Sequence, residues 1–245
     1  MSAYNVQQTV LTTATDIGAP GVDTTYGWGV VNAGKAVKGP GRFVTDFEAN
    51  VAGLAWFLND IGGAGGLVKR GAGQLMLAGA NTYGGQTVVE QGVLGVNGSL
   101  TSSVLVKSGA TFQSYGAHVG AYTAQDKATT AVQIGKALQV DGAAALDGTL
   151  QLLAEPKGYT VQSTERILGA ASISGTFDAV TYGSGLYYTA ALAYTTTAVD
   201  AALTRTSTAA AASAAGLSSV AVDVGARLDT AFGGAALPVS SGFDR

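Results

Sequence analysis

The sequence predicts a mainly β chain wound as a right-handed parallel β-helix, a solenoid with short helical segments at its two ends. Three observations predict it. Only 12% of the 245 residues are charged, while 36 are glycine, about twice the usual share of glycine and about half the usual charge. From residue 62 onward, short apolar runs alternate with Gly, Asn and Ser. Each run is too short for a buried helix and is bounded by turn formers. Short strands joined at frequent corners suit coils that stack on one another, and the corners favour residues that tolerate positive φ.

Taken in order, residues 4–17 carry a helical pattern: Val6, Val10 and Ala14 fall four apart, with Leu11 beside them. Gly18 is placed to end that helix, and Pro20 follows. Tyr26-Gly-Trp-Gly predicts a tight turn with Trp28 in a small core. Asn32 is placed to cap a brief helix over 33–38, and Gly39-Pro40-Gly41 breaks the chain. Phe43, Phe47, Val51, Leu54 and Phe57 alternate weakly, as short strands do.

The clearest strands are Leu67-Val68, Leu75 to Leu77, Thr87 to Val89, Val93 to Val96, Val104 to Val106 and Thr111-Phe112. Residues 113–131 are small and polar and predict a loop or a bulged coil. Strand texture returns over 132–206, interrupted by a turn at Glu155-Pro156-Lys157-Gly158. Large apolar residues crowd this part, among them Leu138, Leu146, Leu150, Leu152, Ile167, Leu168 and Leu192. Over 208–232, Leu217, Val220, Val224, Leu228 and Phe232 step by three or four, which predicts one continuous helix of about 35 Å. Pro238 to Arg245 predicts a frayed end.

Composition also excludes functions. The net charge is −3, and the 13 Lys and Arg residues are scattered, so nucleic-acid binding is not expected. The absence of cysteine removes disulfides, thiolate zinc sites and cysteine catalysis. No apolar run reaches the length of a transmembrane helix, and residues 1–8 do not form a signal peptide. His118 is the only histidine. Ser114 lies four residues before it and Asp126 eight after, but a triad needs a positioned nucleophile and an orienting carboxylate. His118 is therefore read as a solvated loop histidine. Asp141, Asp147 and Asp178 are isolated among strands and lack the dense spacing of calcium-binding repeats. Tyr26 to Gly29 reads as a structural turn rather than a stacking site, and Gly62 to Gly66 lacks the lysine of a phosphate loop. No catalytic, cofactor-binding or metal residue is assigned, and no cofactor is expected.

Several stretches resemble subtilisin-like serine proteases of the autotransporter type. Val6 to Asp23, followed by Tyr26-Gly-Trp-Gly-Val-Val-Asn-Ala-Gly-Lys-Ala-Val37, resembles the last helices of such a protease domain. Gly65 to Gly98, with its Asn81-Thr-Tyr-Gly-Gly-Gln-Thr core, resembles the passenger-associated repeat of autotransporter β-helices. Glu165-Arg-Ile-Leu-Gly-Ala-Ala-Ser-Ile-Ser-Gly-Thr-Phe177 resembles the pertactin-like region that precedes the membrane anchor. The Ala-rich stretch at 208–232 sits where the family's linker enters its barrel.

The resemblance implies four parts: residues 1–41 as the end of a subtilisin-like domain, 42–132 as a β-helix stalk with the repeat at 62–100, 133–206 as a pertactin-like autochaperone cap, and 207–245 as a helical linker. It implies a structural stalk and folding region in the passenger of a secreted serine protease. This part is expected not to be catalytic, because the family's triad regions would lie ahead of Met1. Its outer-membrane β-barrel, the expected partner, would follow Arg245, so a fragment is expected. The barrel assembly machinery is a second expected partner, the monomer the expected state, and the surface or exterior of a Gram-negative bacterium, reached through periplasm and outer membrane, the expected location. Two rival readings stand beside it: a subtilisin-family endopeptidase, as the parent would be, and a cell-surface adhesin. The missing triad speaks against the first. The absence of Arg-Gly-Asp and an aromatic content of only 8% speak against the second.

Overall fold

The computed structural model describes residues 2–154, 162–183 and 188–233. The chain begins with α1 (Ala3–Thr12), where the Ser2 side chain accepts from Asn5 N. The helix stops at Thr13, earlier than Gly18. Thr9, Thr12 and Thr13 all turn their hydroxyls back onto carbonyls one turn earlier, a local competition that weakens helices. The second helix, α2 (Ala33–Ala36), is capped by Asn32, whose side chain accepts from Lys35 N at 3.0 Å.

Seven coils of strand follow. The first holds β1 (Arg42–Phe43), β2 (Phe47–Asn50) and β3 (Leu54–Phe57). The second holds β4 (Gly62–Gly63), β5 (Leu67–Arg70) and β6 (Gln74–Leu77). The third holds β7 (Ala80–Asn81), β8 (Thr87–Val89) and β9 (Val93–Val96). The fourth holds β10 (Ser99–Leu100), β11 (Val104–Val106) and β12 (Thr111–Ser114). The fifth holds β13 (His118–Val119), β14 (Tyr122–Ala124) and β15 (Thr129–Gln133). The sixth holds β16 (Leu138–Leu146) and β17 (Thr149–Leu153), and the seventh β18 (Gln162–Gly175) and β19 (Ala179–Tyr182). Successive coils pair in parallel: β3, β6, β9, β12, β15, β17 and β19 form one seven-stranded sheet. A second, twelve-stranded sheet carries β2, β5, β8, β11 and β14 onto β16.

The register explains the apolar pattern. Leu75, Leu94, Phe112, Thr130 and Leu150 pair in sequence across five coils, and all five are fully buried. Phe57, Leu77, Val96, Ser114, Val132 and Leu152 form a parallel column. Residues two apart along each strand thus face one interior, as the pleat requires. Aromatic rings fill the wider places: Phe43 stacks on Phe47 at 5.0 Å and meets Tyr83 at 4.8 Å, and Phe112 meets Tyr122 at 5.5 Å.

One corner recurs in left-handed conformation. Gly71, Gly92, Gly109, Gly148 and Gly175 take it at the entry to β6, β9, β12, β17 and β19, and in the fifth coil Lys127 takes it at φ 60°. Glycine adopts this conformation without steric cost, whereas a side chain does so at a penalty.

Three expectations are corrected. Residues 113–131 form a regular coil, not a loop, because Ser114, Tyr122 and Thr130 fill inward positions with their hydroxyls bonded internally. The parallel winding stops at β19: β20 (Tyr188–Tyr194) and β21 (Ala198–Arg205) make an antiparallel hairpin whose β21 pairs with β18. This hairpin covers a strand edge that stacking would otherwise leave open. The expected single helix over 208–232 is two, α3 (Thr208–Ala214) and α4 (Ser219–Gly233), broken at Gly216 with φ 67°. The expected turn at 155–158, the parts of the expected strand texture at 159–161 and 184–187, and the end from Pro238 lie outside the described residues.

Candidate functional site

Among the described residues, His118 and Ser114 do not come together. His118 lies on β13, exposed, paired between Ser99 and Gln139, so it is a strand residue rather than a loop one. Ser114 is fully buried and its hydroxyl accepts from Ala117 N at 3.0 Å. An exposed imidazole and an inward hydroxyl do not form a nucleophile–base pair. Trp28 is half-buried and Tyr26 exposed, so the expected small core around Trp28 does not form among the described residues. That turn is instead held by Asp23, whose carboxylate accepts from the backbone N–H of Tyr26, Thr25 and Ala19. Those bonds hold its pKa below the usual carboxylate range.

The aspartates are not all isolated. Asp126, Asp147 and Asp178, from three successive coils, bring carboxylate oxygens within 4.8 Å of one another. Asp126 and Asp178 are exposed, and the orphaned buried side-chain atoms of the described residues, on Gln8 and Asn81, belong to other parts of the chain. The group is an acidic corner, and no ligand is assigned to it.

Two charged arrangements escaped the sequence reading. The first is internal. Lys69 lies on β5 in an inward column between Ala49 and Val89 and is fully buried. Its ammonium donates to the carbonyls of Arg70 at 2.9 Å, Gly71 at 2.8 Å and Gln91 at 3.0 Å. The three donors of an ammonium thus tie the corner of the second coil to that of the third. Burial pushes the amine's pKa down; the three acceptors act the other way, since they favour the charged form.

The second arrangement is external, an alternating ladder along four coils. Arg70 pairs with Glu48 at 2.8 Å and Glu90 at 2.6 Å, and Glu90 pairs with Lys107 at 2.5 Å. Lys107 and Arg70 hold the Glu90 carboxyl below its ordinary pKa. Glu90→Gln is expected to cost about 0.5–1 kcal/mol at low ionic strength, the range for exposed pairs in a network. Urea titrations of both proteins should converge as salt rises past about 0.5 M, where screening is strong. A difference that persisted at high salt would mean that Glu90 acts by packing.

At the other end, Asp229 of α4 accepts from Ser207 Oγ at 2.6 Å, Thr208 N at 2.8 Å and Ala209 N at 3.0 Å, and pairs with Arg205. The Ser207 hydroxyl and the two backbone N–H groups hold its pKa far below the usual range. The stability so gained is present above the ordinary carboxylate pKa and is lost only as pH falls through the lower folded value.

Comparison with known proteins agrees with this architecture. Residues 67–96, spanning β5 to β9, match the passenger-associated-transport-repeat family. The Neisserial autotransporter lipoprotein NalP of Neisseria meningitidis serogroup B is 39% identical over 209 residues, covering 71% of this chain and 19% of that protein. An extracellular serine protease of Serratia marcescens is 37% identical over 163 residues, covering 51% of this chain and 15% of its own. Serotype-specific antigen 1 of Mannheimia haemolytica is 39% identical over 98 residues. The chain spans about a fifth or less of the length of these relatives.

Proposed function

We infer that this chain, an autotransporter passenger segment, is the stalk and folding region of an exported serine protease and carries no catalytic step itself. The observation that carries the reading is the asymmetry of the solenoid's two ends. The C-terminal end is closed: the β20–β21 hairpin covers β18, and Phe177, Tyr188, Val199 and Leu203 are buried there. At the N-terminal end, residues 14–38 contain no buried side chain, yet Val22, Tyr26, Val30, Val31 and Val37 are exposed there by 54–84%. A segment with apolar side chains and no core of its own suits the end of a larger domain, here the subtilisin-like one expected over 1–41. In stacked architectures each unit is stabilised by its neighbours, and a closed end offers an edge for the next coil. Residues 133–206 accordingly act as the autochaperone cap on which the stalk at 42–132 assembles. Residues 207–245 lead toward an outer-membrane barrel, assembled by the barrel machinery, and the passenger stands as a monomer at the bacterial surface or beyond it.

Refolding kinetics test this. Leu168 and Leu94 are both fully buried, one in the cap and one in the stalk, and truncation of either to alanine should cost about 2–5 kcal/mol. Leu168→Ala should act mainly by slowing refolding, and Leu94→Ala mainly by speeding unfolding, as expected when the cap forms first. If Leu94→Ala slowed refolding as much as Leu168→Ala, the cap would not be the template.

A further inference from the structure

The helical pair after β21 is folded in a way that its apolar pattern does not ask for. Gly216 N bonds to Ser213 O and Leu217 N to Ala212 O, both at 3.0 Å, a left-handed terminus that turns the chain back. The two helices then meet through small residues: a Cβ added at Gly225 would lie 2.8 Å from Ala209 N and 2.9 Å from Ala209 Cα. The four donors to Asp229 come from the end of β21 and the first turn of α3, so a carboxylate of α4 caps the start of α3. Val220, Val224 and Leu228, which share one face of α4, and Leu217 just ahead of it remain 42–69% exposed. The closed pair is therefore held by one polar cap and a close backbone approach, not by these four apolar side chains. The space around Gly216 is open, with nothing within 4 Å of an added Cβ.

We propose that residues 208–233 are a two-state clasp: Asp229 holds α4 back against α3, and its release lets the helices merge through Gly216 into one straight helix. The closed form returns the chain to the end of β21, whereas the open form carries it about 40 Å away at 1.5 Å per residue. Arg205 of β21 pairs with Asp229, and the clasp does not rest on the stalk and folding role of the solenoid.

Spin-label distances on the full chain test the proposal, helped by its lack of native cysteine. Ala210→Cys and Thr230→Cys place labels on exposed positions of the two helices. With Asp229 intact, the separation should be near the spacing of packed helices, about 10 Å between axes. Asp229→Ala should move it to about 30 Å, the length of twenty helical residues. Far-ultraviolet dichroism should show helix maintained and the strand signal unchanged. Adding Gly216→Ala to Asp229→Ala should narrow the long-distance population. A short distance in Asp229→Ala, or a long one accompanied by loss of helix, overturns the proposal.

Discussion

Lys69→Ala is expected to destabilise the solenoid by about 4 kcal/mol, from carbonyls left without a donor and from the volume the side chain vacates. Arg70 O has a second donor, Val51 N, but among the described residues Gly71 O and Gln91 O accept only from Lys69. Each carbonyl left without a donor costs about 1–3 kcal/mol, and the vacated volume adds a cavity penalty. Lys69→Met separates the two contributions. It fills the volume and removes the buried charge, but leaves both carbonyls bare, so its cost should be smaller, about 2 kcal/mol. Urea titration of the three proteins checks the order lysine, methionine, alanine from most to least stable. Were methionine more stable than lysine, the amine would be a net burden, as some buried charges are.

Phe112→Ala should cost a similar amount, about 3–5 kcal/mol. The ring is fully buried, pairs along its column with Leu94 and Thr130, and meets Tyr122 at 5.5 Å. Tyr122 itself is fixed by its hydroxyl, 2.6 Å from Thr130 Oγ1, so it is not free to tip into the void. The matched control is Leu54→Ala on β3, whose side chain is 63% exposed; its effect should stay within about 0.5 kcal/mol. Thermal melts would reveal equal losses at the two sites if Phe112 were not in the solenoid interior.

The sequence disclosed the coils where side-chain type and burial agree. Leu75 to Leu77 and Val93 to Val96 announce strands because apolar runs between glycines have one stable use in so short a length. It disclosed less where inward positions are polar. Ser114 and Thr130 occupy the same columns as Val96 and Leu94, but a hydroxyl bonded to a neighbour looks, in sequence, like loop chemistry. Lys69 was hidden for the same reason. The alternation through Leu67 and Val68 placed it inward, while its charge placed it outside, and only the three carbonyls resolve the conflict. Direction of pairing leaves no mark on composition, so the antiparallel hairpin at 188–205 looked like further coil. At 216 the stepping of Leu217, Val220, Val224 and Leu228 continued the helical pattern past the break. The signal against continuity was Gly216 followed by Leu-Ser-Ser, a terminator and then caps. Among candidate site residues, the exposure of His118 was legible, but its place on a strand was not. The approach of Asp126, Asp147 and Asp178 was not, since it depends on the offset between coils.

The alternating sign of Glu48, Arg70, Glu90 and Lys107 also bears on assembly errors. Coils of similar length and texture invite a mistake in which one is looped out and its neighbours close over the gap. If the third coil were omitted, the register would set Arg70 against Lys107; if the second were omitted, Asn50 would face Glu90 and both pairs of Arg70 would be lost. The first slip sets like charges side by side, an unfavourable juxtaposition in sheets, and both forfeit pairs present in the native stack. A ladder whose neutralisation contributes little to stability thus weighs against an order of coils with one missing.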